Sequence, residues 1–372
     1  MTHRINKTER MQVPLSFKAA VVQEPGAQNV VSDRSMEHLK SGEIAIKITA
    51  TAINPVDWKM RDYNTFISDY PAVLGSDAAG VVADIGSDIS SFAVGDRVFF
   101  QGIIGNYDSS TFQQFCKMPA ALVSKTPSNI SDEQAAGISL ATMAGAVAFY
   151  DKEGHGLTAP WKNGGEQAGK GKAIVIIGGA SSVGQYAIQL ARLSGFEKII
   201  TNASAAHHEF LKGLGAHVVL DRASAGPNEF KAAIGRLPLD FAFDTISAKA
   251  TQLLAVQIVQ AAESVSSRHH VLTVHVVHPA VIDPDALALA QSKEPKVDMS
   301  QVLGIGSSPA LRYLSEPLLR NLGGEDGYIA NSLFTPNRPR VVQGGLAAVE
   351  DALALNKKGV SGEKVVFRPF DT

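Results

Sequence analysis

The sequence predicts an α/β chain in two parts, a β-rich unit and a unit built on a doubly wound parallel sheet. Three observations carry this. Short apolar, β-branched runs punctuated by glycines fill the stretch from Phe17 to Phe100. From Ala173 onward, strand-like and helix-like runs alternate, the pattern of a parallel sheet joined by right-handed crossovers. Where the first of those strands meets its helix stands a glycine-rich turn, Gly178–Gly184 (GGASSVG).

Composition bounds the rest. The 372 residues suit two domains. Hydrophobic residues make up 45% and charged residues 19%, enough for a large core and unlike a disordered chain. Lys+Arg number 34 and Asp+Glu 36, so no basic excess is available to neutralise a phosphate backbone, and no nucleic-acid partner is expected. The single cysteine, Cys116, excludes an intramolecular disulfide, a four-cysteine zinc site and a Cys-x-x-Cys pair. The opening MTHRINKTERMQVPLSF has no apolar core of signal-peptide length, and no run of about 18 apolar residues occurs. The expected setting is cytoplasmic, with no membrane partner.

In chain order, Phe17–Gln23 and Glu43–Ala52 alternate as strands. Between Tyr70 and Phe100, Gly75, Gly80, Gly86 and Gly95 cut several short strands. Ser131–Tyr150 is Ala-rich and reads as a helix started by Ser131 with Glu133 and Gln134. Asp151–Lys172 is Gly-rich and polar, a surface loop. Strands are then predicted at Ala173–Ile177, Lys198–Thr201, Ala216–Leu220, Asp240–Ile246 and Val271–Val277. After about Met299 the chain reads as irregular. It then offers a strand at Tyr328–Phe334, a helix at Gly345–Asn356 and a last strand at Lys364–Arg368.

The turn after the first parallel strand is the strongest functional signal. Backbone N–H groups and the positive end of a helix dipole face an anion at such a place, as a dinucleotide pyrophosphate requires. Gly179 and Gly184 fit the outer positions of G-x-G-x-x-G, with Ser181 in the middle and Ala180, Ser182 and Val183 between. No carboxylate follows in Thr201–His208 to hold a ribose 2′-hydroxyl, whereas Ser204, His207, His208 and Arg222 favour a 2′-phosphate. The expected cofactor is NADPH. Ile246, Val276 and Val277 close strands that should end at the ligand crevice.

Four segments then carry a family resemblance: Asn54–Asp62 (NPVDWKMRD), Leu74–Val98 (LGSDAAGVVADIGSDISSFAVGDRV), Gly178–Ala191 (GGASSVGQYAIQLA) and Gly344–Val366 (GGLAAVEDALALNKKGVSGEKVV). In this order the chain resembles the medium-chain dehydrogenase/reductase superfamily. The resemblance implies a GroES-like β-rich catalytic domain, residues 1–140 with 310–372, and a Rossmann NADPH-binding domain, residues 141–309. Zinc relatives place Cys beside the NPVD segment and His in a G-H-E motif. This chain has Val56–Asp57 and Gly75–Ser76–Asp77 there, so it looks like the zinc-free quinone oxidoreductase and enoyl reductase branch, with no metal expected. Asn54–Lys59, the Asp151–Lys172 spacer, GGASSVG, the TNAS–LKGLGAHVVLDR stretch and Ala242–Ser247 (AFDTIS) make it most similar to fungal ToxD-like, trans-acting enoyl reductases of polyketide pathways.

Without a metal, hydride delivery to an isolated ketone lacks its Lewis acid, whereas conjugate addition spreads charge over an enolate that modest donors can stabilise. The resemblance puts the NPVDWK segment beside the nicotinamide. Asn54 would then bond the ribose or orient the substrate, Lys59 would polarise the carbonyl or contact a ribose hydroxyl, and Tyr63 would be a proton donor. Some relatives carry that Tyr two positions later, at Thr65 here. The alternative readings are a turn cap for Asn54, a solvated Lys59 and a packing role for Tyr63. Thr142, Met143 and Ala144 sit where the family's helix meets the nicotinamide pocket, and Phe334 would line the substrate side; core packing is the alternative for each apolar one. His269, His270, His275 and His278 read as solvated or hydrogen-bonded residues, and Cys116 as a small buried one.

The leading expectation is an NADPH-dependent reductase of an enone or enoyl thioester, the latter on an acidic carrier protein, acting as a monomer or homodimer. A zinc-free carbonyl, aldehyde or quinone reductase, and a non-catalytic NADPH-binding protein, remain open beside it.

Overall fold

The computed structural model describes residues 13–265, 268–275 and 282–372. Its strands are β1 (Phe17–Val22), β2 (Asn29–Arg34), β3 (Glu43–Ala52), β4 (Ala72–Val73), β5 (Asp77–Ile85), β6 (Arg97–Gln101), β7 (Phe115–Pro119), β8 (Val123–Lys125), β9 (Ala173–Ile177), β10 (Lys198–Ala203), β11 (Val218–Asp221), β12 (Leu239–Asp244), β13 (His270–Val274), β14 (Asp298–Val302), β15 (Arg338–Val342) and β16 (Glu363–Phe367). They form three sheets.

The largest runs β15-β16-β3-β5-β6-β8, with β7 on β3. Its pairs are antiparallel except β15 with β16. So the last strands of the chain complete a sheet begun by Glu43–Ala52. A small antiparallel sheet, β2-β1-β4, lies beside it. The third sheet, β11-β10-β9-β12-β13-β14, is parallel throughout. Its order reverses between β9 and β12, where doubly wound sheets open a ligand crevice. The apolar runs of β9 (AIVII) and β12 (LDFAFD) are buried along their length, as strands covered on both faces must be.

Several expectations are corrected. Ser131–Tyr150 is two helices, Asp132–Ala136 and Ser139–Tyr150, parted at Gly137. The first starts as read, with Ser131 accepting from the Gln134 N–H and Gln134 reaching back. Tyr328–Phe334 is not a strand: the N–H groups of Leu333 and Phe334 both turn back to the Tyr328 carbonyl. The strand lies later, at β15. The chain after Met299 is not irregular, because β14 and the helix Arg312–Leu322 fill it. Helix Pro55–Tyr63 was not anticipated, and Pro55 at its first turn suits it. Strand Val271–Val277 is β13, and residues 276–277 lie outside the described residues.

The Asp151–Lys172 segment is more than a surface loop. Trp161 meets Tyr150 edge-on at 5.3 Å, and His155 stacks on Phe241 at 4.3 Å. His155 Nδ1 lies 3.0 Å from Nδ1 of His270, while its Nε2 faces Asp240, which also meets Lys172. These groups sit where β12 and β13 begin, the opposite end of the sheet from the crevice. His278 lies outside the described residues. Burial, with the charges of Arg268 and His155 adding to it, pushes the His270 imidazole down to about 3.

This sets a pH signature. The unfolded imidazole titrates near 6.5, so the unfolded chain takes up a proton that the folded chain refuses. The stability held by neutral His270 is complete above about pH 6.5 and is lost as pH falls toward 3. His270→Asn should therefore flatten the fall in unfolding free energy between pH 6.5 and 4.5 by up to about 1.4 kcal/mol per pH unit. Chemical denaturation across that range checks it, and an unchanged slope would refute it.

Candidate functional site

The crevice begins with the turn after β9. Gly178 adopts φ +83°, a conformation that favours glycine. Its N–H donates to Asn202 Oδ1 at 2.9 Å, and the Gly179 N–H to the Asn202 carbonyl at 3.1 Å, so β10 pins the turn. A Cβ on Gly179 would stand 2.2 Å from Thr201 Oγ1, and one on Gly184 would stand 2.3 Å from the Gly178 carbonyl. Ser181 takes the middle position for a reason visible here. Its Oγ accepts the Gly184 N–H at 2.9 Å and meets Thr245 Oγ1 at 2.8 Å, capping helix Ser182–Leu193 and tying it to β12. Such a cap is worth about 1 kcal/mol.

Across the crevice, AFDTIS folds around its own carboxylate. Asp244 accepts the N–H groups of Ile246 and Ser247 and the Thr251 hydroxyl, which turns the chain sharply after β12. Burial nevertheless pushes the Asp244 carboxyl up to about 6. Ile246, 44% exposed, is left standing over Gly178. A cleft of about 400 Å³ opens between this crevice and the N-terminal sheets. Ala180, Ser181, Ser182, Val183 and Ile246 line it on one side, and Asn54, Lys59, Trp58 and Lys364 on the other. A glycine turn too tight for side chains, leading into a helix start, suits a dinucleotide pyrophosphate.

The second wall is a buried polar network. Asn54 is the N-cap residue of helix Pro55–Tyr63. Asn54 Nδ2 donates to Asp77 Oδ2 at 3.0 Å, and Oδ1 accepts from Lys364 Nζ at 2.6 Å. Asp57 accepts the Asn54 N–H through Oδ2 and the Ser76 hydroxyl through Oδ1, both at 2.7 Å. The Leu140 N–H donates to Asp77 Oδ1 at 2.9 Å, and Lys364 Nζ lies 3.8 Å from Asp77 Oδ2. Asp57, Asp77 and Lys364 are almost wholly buried. Burial pushes Asp57 up to about 7, against the pull of its Asn54 and Ser76 hydrogen bonds, and raises Asp77 against the pull of Lys364. Burial lowers Lys364, opposed by both carboxylates. Gly137 makes room for the lysine stem, since a Cβ there would stand 2.9 Å from its Cγ.

This donor set does not fit a zinc ion. Neither Asn54–Asp57 nor Gly75–Asp77 contains a Cys or His, all four carboxylate oxygens of Asp57 and Asp77 already accept hydrogen bonds, and an ammonium sits among them. Among the described residues no group of three or more His, Cys, Asp or Glu is arranged to hold a metal. Cys116 is fully buried in β7, and burial raises its thiol.

The remaining sequence candidates divide. Lys59 lines the cleft, half-buried and lowered by that burial, with Nζ 5.3 Å from the Trp58 ring. Tyr63 stands 44% exposed at the far end of the helix and does not line the cleft. Thr142 is buried with its hydroxyl on the Ile138 carbonyl at 2.6 Å, so Ala141 and Ala144 face the cleft instead. Met143 points the other way, toward Leu318 and Leu319. Phe334 is core, stacked on Tyr186 at 5.1 Å. The Ala203 carbonyl takes the Arg222 backbone N–H at 3.0 Å and faces His208 Nε2 at 3.2 Å, which places both residues beside Ser204 at the end of β10. Val277 lies outside the described residues. Sequence reasoning missed Lys364 and Asp77, which build the polar wall. Lys364 was visible only as one lysine in a terminal strand, and no local pattern says that it runs inward.

Comparison with known proteins agrees with this fold. The family described as Alcohol dehydrogenase GroES-like domain matches residues 40–128, and that described as Zinc-binding dehydrogenase matches residues 182–267. Trans-enoyl reductase himH of Aspergillus japonicus is 30% identical over 87% of this chain and 89% of its own length. Trans-enoyl reductase tndF of Aspergillus flavipes is 30% identical over 94% and 98%. A putative zinc-dependent alcohol dehydrogenase from Rhizobium etli superposes with a TM-score of 0.75 at 24% identity, over 96% of this chain and 99% of that one. The quinone oxidoreductase of Coxiella burnetii superposes at 0.66 and 22% identity, over 95% and 99%.

Lys364→Met should expose the cost of the network. Removing one partner of a buried pair leaves the other uncompensated, typically by about 3–5 kcal/mol. The raised Asp77 and Asp57 carboxyls take up protons as pH falls, so the loss in unfolding free energy should be larger at pH 8 than at pH 5. Equal losses at both pH values would contradict it.

Proposed function

We propose that this chain, which belongs to the medium-chain dehydrogenase/reductase family, is an NADPH-dependent, zinc-independent reductase of a carbon–carbon double bond conjugated to a carbonyl. That it is an oxidoreductase using a nicotinamide cofactor follows from the family. The observation that carries the finer reading is the polar wall of Asn54, Asp77 and Lys364, which contains no Cys or His and is closed by its own hydrogen bonds.

The bound nicotinamide supplies a hydride. The glycine turn and the start of helix Ser182–Leu193 would hold its pyrophosphate, and Ile246 would cover its middle. Ser204, His208 and Arg222 would take the 2′-phosphate. Lys59, lining the cleft with a pKa lowered by burial, would donate a hydrogen bond to the carbonyl oxygen of an enone or enoyl thioester, where negative charge develops when the β carbon is reduced. Asn54 has both amide ends engaged, so it would shape the wall rather than donate to substrate. The α carbon would take its proton from water or from Lys59. The trans-enoyl reductase relatives support an enoyl thioester as substrate, presented by a carrier protein. In this reading the protein works in the cytoplasm as a monomer or homodimer, with domains 1–140 plus 310–372 and 141–309.

NADPH oxidation with matched substrates tests it. An enone and an enoyl thioester should turn over, their saturated ketone and aldehyde counterparts should not, and a chelator should change nothing. Turnover of the saturated carbonyls would favour the carbonyl reductase instead. NADPH binding without oxidation by any acceptor would favour a non-catalytic binder. For cofactor choice, Arg222→Ala should raise KM for NADPH about tenfold while leaving KM for NADH unchanged, as loss of a contact to a 2′-phosphate predicts. Equal shifts for both would remove Arg222 from that role.

A further inference from the structure

The two sides of the cleft also touch at an exposed point. Helix Val349–Lys358 ends at Gly359, and the chain runs through Val360, Ser361 and Gly362 into β16. Gly359, Val360 and Glu363 line the cleft. Ser361 leaves that wall, and its Oγ lies 2.8 Å from Nε2 of His207, in the turn that follows β10. Gly362 adopts φ +73°, and a Cβ there would stand 2.6 Å from the His207 ring, so the imidazole seats directly on backbone. Nearby, the Arg338 guanidinium lies 3.8 Å from the centre of the Phe210 ring. Arg338 stands opposite Glu363 where β15 pairs with β16. Both contacts therefore join the same end of the N-terminal sheet to the same stretch after β10.

We propose that the His207–Ser361 pair is a latch across the cleft that sets how fast a dinucleotide enters and leaves. His207 adjoins His208, which with Ser204 and Arg222 would take the 2′-phosphate at the end of β10. A dinucleotide laid across the carboxyl ends of the strands then has its adenosine end beside the latch. Elsewhere Gln101 bridges the walls, through the Gly304 carbonyl and the Gly306 N–H. Gln101 is buried and makes two hydrogen bonds there, whereas Ser361 is exposed and reaches His207 through one. The exposed bond is the one that gives first, and a contact that must break before a ligand leaves sets its release rate. The latch bonds protein to protein. Its loss speeds entry and release together and leaves the binding equilibrium nearly unmoved, which separates it from a residue that holds the cofactor. The inference rests on the chain binding a nicotinamide dinucleotide. It does not depend on which substrate is reduced.

Stopped-flow fluorescence of the full chain with NADPH and with NADH reads both rates for each nucleotide that the wild-type chain binds. Ser361→Ala should raise the association and dissociation rate constants each about fivefold, the weight of about one hydrogen bond, and change Kd less than about twofold. Ser361→Thr, which keeps the hydroxyl, should return both rates to near the wild-type values. Unchanged rates in Ser361→Ala would overturn the latch. So would a rise in Kd carried by dissociation alone, since Ser361 would then be a cofactor contact. A wild-type chain that binds neither nucleotide would overturn it together with the cofactor reading. Failure of the reductase reading shows separately, as a nucleotide bound but not oxidised.

Discussion

A lysine ammonium buried in the wall of a cleft is the constraint around which the rest of the site is arranged. Taking Lys364 out of water is costly, and the cost is met only if a carboxylate and further hydrogen bonds surround it. Asp77 supplies the charge and Asn54 the nearest acceptor. Each demand propagates. Asp77 is held by the Leu140 N–H, which fixes helix Ser139–Tyr150 against β5. Asn54 is held by Asp77, and its backbone by Asp57, which fixes helix Pro55–Tyr63. Asp57 in turn needs Ser76. Gly137 must lack a side chain for the lysine stem to pass. Since β16 carries Lys364 and β5 begins at Asp77, the network joins the last strand of the chain to one of the first, on the two sides of β3. Closing the N-terminal sheet with a C-terminal strand and building the polar wall are therefore the same event.

The opposite wall obeys a different rule. There the chain must expose backbone N–H groups while keeping helix and sheet in close contact, and side chains are the obstacle. Gly179 and Gly184 leave no space for a Cβ, and Asn202 takes the first two N–H groups of the turn. Ser181 shows how much latitude the pattern has. Its side chain is directed back at Gly184 and across to Thr245, so the position tolerates a hydroxyl where a larger residue would fill the approach to a phosphate. Gln101 then ties the two walls together, donating to the Gly304 carbonyl and accepting from the Gly306 N–H beyond β14. One wall is thus polar through buried side chains and the other is a close-packed glycine turn at a helix start.

What was legible in the sequence follows from this division. Local rules exposed the glycine turn, the parallel strands and the Ser131 cap, because each depends on residues near one another in the chain. The six parallel strands were found up to β13. The last, β14, escaped because DMSQV is short and only half-buried at a sheet edge, without the apolar run of β9. Tyr328–Phe334 misled through its β-branched and aromatic content, which here feeds the Tyr186 stack and the core instead of a ladder. Thr142 and Met143 stood on the right helix but one step around it from Ala141 and Ala144, and a helix hydrophobic all round gives no signal for which face meets a cleft. The polar wall was half legible. Asn54 and Lys59 were marked by their segment, but Lys364 lies more than three hundred positions from Asn54, and no periodicity reports a contact across that distance.

The chemistry such a wall supports is set by how far its charge can be shifted. A zinc ion concentrates two positive charges on one substrate oxygen, which an isolated carbonyl requires. Lys364 is already engaged by Asn54 and faces Asp77, and both amide ends of Asn54 are occupied, so little of this charge is left to polarise a substrate. What remains is the ammonium of Lys59 in a cleft lined largely by apolar side chains. An acceptor whose negative charge spreads from oxygen through an enolate makes the smallest demand on such a site, and a saturated carbonyl the largest. On the proposed reading, a wall whose lysine is occupied in holding Asn54 and Asp77 in place suits conjugate reduction.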